Sequence, residues 1–241
     1  MRKYLPELGI AIRLTIVVML VTGLIYPLVV TGAAQALFHD RANGSLIKQN
    51  GQVIGSSLIG QQFTSDKYFH GRPSSTVDAN GTPQPYNAAN SSASNLGPTN
   101  PALIMAVQGN ADAVRCLEGL PPGPAPLVTP APSPTPVPSA SPAANATPSA
   151  TPEPCAPLTQ ASVAQVPVDA VTNSGSGLDP DISVDYAVLQ VPRIARVRNL
   201  PEAKVQQLVE DQILDRQFGV LGERRVNVLD LNLALDKLGG R

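Results

Sequence analysis

One long uncharged segment dominates the hydropathy pattern at the beginning of the chain. From Leu14 to Phe38, 25 residues carry no formal charge, and 18 of them are apolar. About 20 such residues in a helix span the hydrocarbon core of a bilayer. We therefore predict a single transmembrane helix over residues 14–37, preceded by a short segment of residues 1–13.

The charged residues that flank this segment predict its orientation. Those before it are Arg2, Lys3 and Arg13, and those directly after it are His39, Asp40 and Arg41. Because flanking basic residues tend to stay in the cytoplasm, we expect residues 1–13 inside the cell and residues 38–241 outside. A cleaved signal peptide is the alternative, since Ala34-Gln35-Ala36 resembles a cleavage site, although the uncharged run exceeds a signal's apolar region.

A second unusual segment lies in the middle of the chain. Residues 121–157 include 14 prolines, mostly separated by Ala, Ser and Thr. This alternation favours polyproline II, which has no internal hydrogen bonds and packs no core. We predict a proline-rich disordered stretch over residues 120–162, which is either an insertion into one domain or a linker between two.

The two cysteines lie at the ends of this stretch. Cys116 precedes it and Cys155 lies near its end. The predicted extracytoplasmic location permits disulfides, and a bridge between these residues would stabilise the fold by roughly 4 kcal/mol. A Cys116–Cys155 disulfide is our prediction, and two free thiols are the alternative.

Shorter patterns predict one domain that mixes helices and strands. Asn50-Gly51 between two short apolar runs indicates a hairpin with a type I′ turn. Asn100-Pro101 begins a predicted helix that reaches about Leu117. Because strands and helices occur without a βαβ rhythm, the predicted fold class is α+β.

The C-terminal quarter has three further predicted elements. A short helix runs from Asp181 to about Leu189 and stops near Pro192. A longer amphipathic helix begins at Asn199, with Glu202 in the position of a capping box, and stops at Gly219. Its predicted apolar face consists of Val205, Leu208, Val209 and Ile213. A strand over residues 226–229 precedes a terminal helix capped by Asp230.

Composition excludes several classes of protein. The net charge is −1, without a basic patch for nucleic acid. The two Cys and two His do not have the spacing of metal ligands, so we expect no metal site. The sequence also lacks an autonomous phosphate-binding loop. We predict no catalytic residue, because the sequence lacks a local catalytic signature such as a nucleophile elbow.

Two local clusters could still have chemical roles. His70 lies near Ser74 and Ser75, and Asp78, Asp179 or Asp181 could orient it, as in a membrane-anchored hydrolase. The alternative is a surface histidine in a turn. Tyr68, Phe69 and Arg72 are either partner-docking residues or core packing in which Arg72 holds a loop.

A set of short motifs in fixed order adds a family resemblance. They include Tyr-Phe-His-Gly-Arg-Pro-Ser at 68–74, Ser-Gly-Ser-Gly-Leu-Asp-Pro at 174–180 and the stretches 55–63, 94–101, 166–172, 190–193 and 226–236. In these the chain resembles the C subunit of the bacterial Kdp potassium-transporting ATPase. The family usually lacks the proline-rich block, so the resemblance favours an insertion into one extracytoplasmic domain.

The resemblance implies a non-catalytic accessory subunit in the bacterial cell membrane. Its expected partners are membrane lipid, the potassium-selective A subunit, the ATP-hydrolysing B subunit and the small F subunit, without nucleic acid. It also implies that the chain has no cofactor of its own, and that ATP and potassium act through the complex as a whole. The family is described as a catalytic chaperone that raises the B subunit's affinity for ATP, and the matching nucleotide-binding residues would be Ser174, Ser176, Gly177 and Gln190.

The predicted orientation conflicts with this nucleotide-binding role. It places those residues outside the cell, whereas ATP is inside and cannot cross a bilayer core without a pathway. Two other functions stay open on the sequence alone. One is the extracytoplasmic hydrolase that would use His70, and the other is an adhesin or sensor with a proline-rich stalk.

Overall fold

The computed structural model describes residues 5–123 and 166–239. The chain divides into two units, Met1–Ser56 and Ser57–Arg241. Most of the predicted insertion, residues 120–162, and Cys155 lie outside the described residues. Cys116 lies in the last turn of the helix that ends at Glu118. Because Cys155 is outside the described residues, the bridge between the two cysteines stays a prediction.

The first unit begins with a long apolar helix. Helix α1 (Leu5–Leu20) continues through a π-helical turn (Val21–Ile25) into α2 (Tyr26–Leu37). Within the described residues, Glu7–Leu37 is the one helix long and apolar enough to cross a membrane, and an 18-residue window of it has a mean hydropathy of 2.4. The helix therefore contains the predicted segment and begins before it.

The π-helical turn has a local cause in the sequence. Pro27 has no N–H to donate to the carbonyl of Gly23, four residues earlier. The Tyr26 N–H donates instead to the carbonyl of Val21, which closes the wider turn. Thr22 Oγ1 donates to the Val18 carbonyl at 2.7 Å, so this hydroxyl needs no water.

A short helix and a hairpin complete the first unit. Helix α3 (His39–Ala42) precedes β1 (Leu46–Gln49) and β2 (Gln52–Ser56), which pair antiparallel. Asn50 and Gly51 have φ values of 52° and 80°. These are the positive angles of a type I′ turn, so the predicted hairpin is confirmed.

In its described residues, 57–123 and 166–239, the second unit has a long irregular segment, five helices and a three-stranded sheet. After residues 57–100, its elements are α4 (Pro101–Glu118), α5 (Val168–Val171), β3 (Asp181–Ser183), α6 (Val184–Arg198), α7 (Glu202–Asp211), β4 (Ile213–Leu214), β5 (Arg225–Asn227) and α8 (Val228–Leu238). The antiparallel sheet has the order β3–β5–β4. These elements confirm the predicted α+β class.

Helix α4 has the predicted boundaries to within a residue or two. The side chain of Asn100 accepts a hydrogen bond from the Ala102 N–H at 2.9 Å, and Pro101 is the first helical residue. Gly119 ends the helix with a φ of 69°, in the left-handed region that glycine adopts without strain.

The helix predicted over residues 181–189 is wrong at both ends. Residues Asp181–Ser183 form β3, and α6 then continues through Pro192 to Arg198. Ser183 caps α6 by accepting the Tyr186 N–H at 3.0 Å. Pro192 faces solvent, whereas its neighbours Val191 and Arg193 are buried, so packing of the opposite face outweighs the missing hydrogen bond.

The predicted capping box at Asn199 is also wrong. Asn199 ends α6 in the left-handed conformation, with a φ of 54°, and α7 begins only at Glu202. Helix α7 stops at Asp211, before Gly219, and Ile213 belongs to β4. The predicted buried face is correct for Val205 and Val209, which are fully buried.

The last helix is capped by Asn227 and not by Asp230. Asn227 Oδ1 accepts the N–H groups of Leu229 and Asp230, both at 3.1 Å. The predicted strand of residues 226–229 is therefore shorter, ending at Asn227. Asp230 lies in the first turn of α8, where a carboxylate faces the positive end of the helix dipole.

The core of the second unit lies between α6, α7, α8 and the sheet. Its fully buried residues come from different elements and include Phe69, Ile194, Val205, Val209, Val226, Leu231 and Leu235. The N-terminal half of α4 contributes little to it, since Val114 is the buried residue of that helix. The irregular segment 57–100 reaches this core through Phe69.

Asn227 provides a test of the corrected helix boundary. We expect Asn227→Ala to lower the free energy of unfolding by about 1–2 kcal/mol, because two helix N–H groups lose their acceptor. Asn199→Gly is the matched control, and glycine suits its positive φ, so that variant should be unchanged or up to about 1 kcal/mol more stable. Urea unfolding of the purified chain measures both, and an unaffected Asn227→Ala variant would contradict this assignment.

Candidate functional site

The centre of the second unit is an extended segment held by two buried amides. Asn232 accepts the Phe69 N–H at 2.8 Å and donates to the Phe69 carbonyl at 2.9 Å. Gln190 does the same for His70, at 2.7 Å and 3.1 Å. Two side chains from α6 and α8 thus replace the neighbouring strand that an extended backbone requires. We call residues 66–72 the clamped segment.

Arg193 adds the third contact to the clamped segment. Its guanidinium donates to the carbonyls of Asp66 and Tyr68, the latter at 3.0 Å. It also donates to Gln190 Oε1 and Glu118 Oε1, at 2.7 Å and 2.9 Å. One arginine therefore joins α4, α6 and the clamped segment.

The ion pair between Arg193 and Glu118 is buried. Their side chains are 1% and 2% exposed. Burial raises the pKa of Glu118, and the charge of Arg193 opposes that rise. Among the described residues, Glu118 Oε2 has no hydrogen-bond partner. Removing one charge would leave the other buried and unpaired, which is costlier than removing both.

Arg72 attaches the clamped segment to the loop after α5. It pairs with Asp179 at 3.0 Å and donates to the Thr172 and Asn173 carbonyls at 3.4 Å. Its own carbonyl accepts the Tyr86 hydroxyl at 2.7 Å. Burial, followed by the nearby Asp179 carboxylate, raises the pKa of Tyr86 to about 12, so the hydroxyl stays a donor.

Three of the four predicted nucleotide-binding residues share one loop. Ser174 is buried, Ser176 is exposed, and Gly177 is buried with a φ of 69°. A Cβ at Gly177 would lie 2.5 Å from Thr76 Cγ2 and 2.8 Å from the Ser92 carbonyl oxygen. Only glycine fits this close approach and positive φ.

Gln190, the fourth predicted residue, lies apart from this loop in α6. It is 0% exposed, and the oxygen and nitrogen of its amide are both bonded to the backbone of His70 in the clamped segment. In the loop, the carbonyls of Ser176 and Gly177 accept Ser91 Oγ at 2.9 Å and Ser74 Oγ at 2.7 Å. These polar groups stabilise the fold, and a role in nucleotide binding stays a prediction.

The predicted docking residues divide between core and surface. Phe69 is 0% exposed, so the core-packing alternative describes it. Arg72 holds a loop, as that alternative also proposed. Tyr68 is half-buried beside Phe63 and Arg198, and its hydroxyl donates to Asp236 at 3.2 Å. Docking by Tyr68 stays a prediction.

The residues of the hydrolase hypothesis bond to other groups. His70 Nε2 lies 3.2 Å from the Ser65 carbonyl, and burial, followed by the charge of Arg193, lowers its pKa. Ser74 Oγ donates to the Gly177 carbonyl, and Ser75 Oγ accepts from Asn173. Each serine hydroxyl thus serves the packing of the loop.

The two remaining candidates of that hypothesis are also bonded within the fold. Asp78 accepts the Asn80 and Thr82 N–H groups, both at 2.8 Å, which lowers its pKa. Asp181 pairs with Arg225 at 2.7 Å. These contacts do not form a nucleophile, base and orienting acid.

A cavity of about 370 Å³ lies beside the clamped segment. His70, Tyr86, Asn110 and Tyr186 contribute to its lining. Asn110 Nδ2 donates to the Val171 carbonyl at 2.9 Å, and the Tyr86 hydroxyl donates to the backbone carbonyl of Arg72. Asn110 thus joins α4 to α5, and Tyr86 fixes the backbone of Arg72.

Of the residues that organise this site, the sequence analysis named Gln190 and Arg72 and missed Arg193, Glu118 and Asn232. Arg193 and Asn232 occupy buried faces of amphipathic helices, between apolar residues such as Ile194 and Leu231. A polar side chain in a predicted apolar face is a signal of internal hydrogen bonding. Glu118 at the end of α4 offered no comparable signal.

Comparison with known proteins identifies the family. The model of the KdpC family, described as K+-transporting ATPase, c chain, matches residues 8–144 and 137–237. The chain belongs to the KdpC family. It is therefore a subunit of a potassium-transporting ATPase.

Curated relatives agree over nearly the whole chain. The potassium-transporting ATPase KdpC subunit of Rhodopseudomonas palustris (strain BisB18) is 47% identical over 238 residues, covering 96% of this chain and 98% of the relative. That of Methylobacterium nodulans is 45% identical over 242 residues, covering 98% and 97%. The resemblance found in the motifs is thus confirmed along the full chain.

The buried ion pair provides a quantitative test. We expect Arg193→Met to lower the free energy of unfolding by about 3–5 kcal/mol, because Glu118 loses its counter-charge in a buried place. Adding Glu118→Gln should recover part of that loss. Lys204→Met on the exposed face of α7 is the control, with an expected change within about 0.5 kcal/mol. If the losses in free energy of unfolding caused by Arg193→Met and by Glu118→Gln simply add up in the double variant, the two buried charges are not coupled and the prediction is contradicted.

Proposed function

We propose that this chain is the non-hydrolytic accessory subunit of a high-affinity potassium import complex. Membership of the KdpC family is the observation that carries the proposal. The geometry supports it, since the candidate nucleophiles and acids are bonded within the fold. The chain then acts through contact with other subunits.

The proposed location is the bacterial cell membrane, with one span and a cytoplasmic N-terminus. The apolar helix Glu7–Leu37 has the necessary length and composition. Basic residues before the apolar run support this orientation. The second unit, Ser57–Arg241, then lies on the extracytoplasmic side, where a Cys116–Cys155 disulfide would be stable.

The proposed partners are the potassium-selective A subunit, the ATP-hydrolysing B subunit and the small F subunit. The apolar helix would pack in the membrane against the A subunit, and the second unit would brace its outer face. A subunit that binds one conformation of a pump better than another shifts the equilibrium by its differential affinity. Stabilisation of the assembly and a higher apparent affinity of the B subunit for ATP would both follow from such a shift.

The hydrogen bonds that hold the clamped segment give this mechanism a physical basis. A brace transmits differential affinity only if its own surface keeps its shape. Arg193, Gln190 and Asn232 hold an otherwise irregular segment to two helices. The irregular surface of residues 57–100 is thereby anchored to the core at residues 66–72.

Growth under potassium limitation tests the proposed function. We expect deletion of the gene to abolish growth at micromolar potassium and to leave growth in rich potassium unchanged. Complementation with the His70→Ala chain should restore growth, because a non-hydrolytic pump subunit does not need His70 as a catalytic residue. Normal growth of the deletion strain under limitation would refute the proposal.

Labelling of an introduced cysteine tests the orientation and the nucleotide-binding role. Ser176 is exposed, so we expect Ser176→Cys to react with a membrane-impermeant maleimide in intact cells. Lys3→Cys, before the span, should react only after permeabilisation, and the unsubstituted chain measures the signal of Cys116 and Cys155. Labelling of Ser176→Cys only in permeabilised cells would reverse the orientation and make direct contact with ATP feasible.

A further inference from the structure

An exposed apolar turn connects β4 and β5. Phe218 is 92% exposed, Val220 74% and Leu221 57%. Single apolar side chains on a surface need no explanation, but here three occur within four positions at the end of one turn. We call Phe218, Val220 and Leu221 the apolar tip.

The backbone of the turn is held in one conformation. Gln217 and Leu221 exchange two hydrogen bonds, each at 2.9 Å. Phe218 and Gly219 both have positive φ values, of 53° and 75°. Such a φ is strained for an aromatic residue, and strain of this kind is concentrated at functional positions. The fold thus presents Phe218 to solvent at a cost in stability.

Two ion pairs cross the neck of the turn. Arg216 pairs with Glu223 at 2.6 Å, and Arg224 pairs with Asp215 at 3.2 Å. The four charges cancel, so the apolar tip projects from a neutral neck. Asp185 lines the same surface hollow as Gly219 and adds an acidic group.

This charge distribution favours a protein partner over a lipid surface. Turns and helices that insert into membranes combine apolar residues with an excess of Lys and Arg, which anionic lipid attracts. Here the nearby basic residues are already paired, and Arg225 pairs with Asp181 at 2.7 Å. A neutral apolar tip fits an uncharged apolar recess of another protein.

We propose that the apolar tip docks into an apolar recess with an uncharged rim on another subunit of the potassium-transporting ATPase. The inference rests on the proposed function, since it needs an assembled complex. Phe218 is the central anchor, with Val220 and Leu221 beside it, and the neck ion pairs lie at the rim. The paired Gln217–Leu221 hydrogen bonds hold the backbone of the turn with Phe218 exposed before any partner binds, which lowers the ordering cost of binding.

Photocrosslinking in the assembled complex identifies the occupant. Benzoylphenylalanine replaces Phe218 in the full chain, expressed with all other subunits, and replaces exposed Val197 of α6 in the control. We expect an adduct with another subunit from position 218 and none from position 197. An adduct only with lipid or with a second copy of this chain, or no adduct at all, overturns the docking proposal if the unsubstituted chain still co-purifies with the complex. If the unsubstituted chain does not co-purify, the proposed function fails as well.

A glycine at position 218 separates docking from folding. Phe218→Gly suits the positive φ, so the purified chain should unfold at an equal or higher temperature. The same substitution should raise the dissociation constant between this chain and the remaining complex by about thirtyfold, as loss of an interface anchor does. Val197→Ser is the control and should leave that constant unchanged. An unchanged constant for Phe218→Gly, or a lower unfolding temperature, overturns the proposal.

Discussion

The second unit depends on one buried cation, the guanidinium of Arg193. It reaches Glu118 at the end of α4, Gln190 on its own helix and two carbonyls of the clamped segment. A buried charge is tolerated only when its donors are bonded and its charge is balanced. Arg193 therefore requires that α4, α6 and residues 66–72 are all in place together, and the positions of Phe69 and His70 follow from it.

This requirement explains how an irregular chain can pack without forming a strand. Residues 57–100 contain little regular structure, so their backbone groups need partners other than a ladder. Gln190 and Asn232 provide them for two consecutive residues, one from each side. Arg72 and Tyr86 extend the same arrangement toward the loop of Ser174 and Gly177. These polar side chains of the described residues therefore act as cross-links of the backbone.

Local sequence signals predicted the elements whose boundaries are decided locally. Asn50-Gly51 and Asn100-Pro101 fix φ angles and caps by themselves, and both were correct. Pro192 misled because burial of the opposite face of α6 outweighed its local preference, whereas the exposed Asn199 misled because asparagine suits the left-handed end of a helix as well as an N-cap. The site was harder to predict, since a glutamine in a sequence does not reveal whether its amide faces a ligand or the backbone of His70. The family resemblance gave the correct assembly, while Arg193 and Asn232 carried only the signal of a polar residue in an apolar helix face, and Glu118 became visible only through its long-range contact.

The packing of α4 against α5 has a consequence for how this fold can vary. These helices lie on either side of residues 124–165, and Asn110 joins them by its hydrogen bond to the Val171 carbonyl. Helices α4 and α5 are thus held to each other by contacts between the helices themselves. Because the entropy of closing a loop grows only logarithmically, each doubling of its length costs about 0.6 kcal/mol. A change in the length of the connection between α4 and α5 would therefore cost little free energy, and the contacts between the two helices would not depend on it.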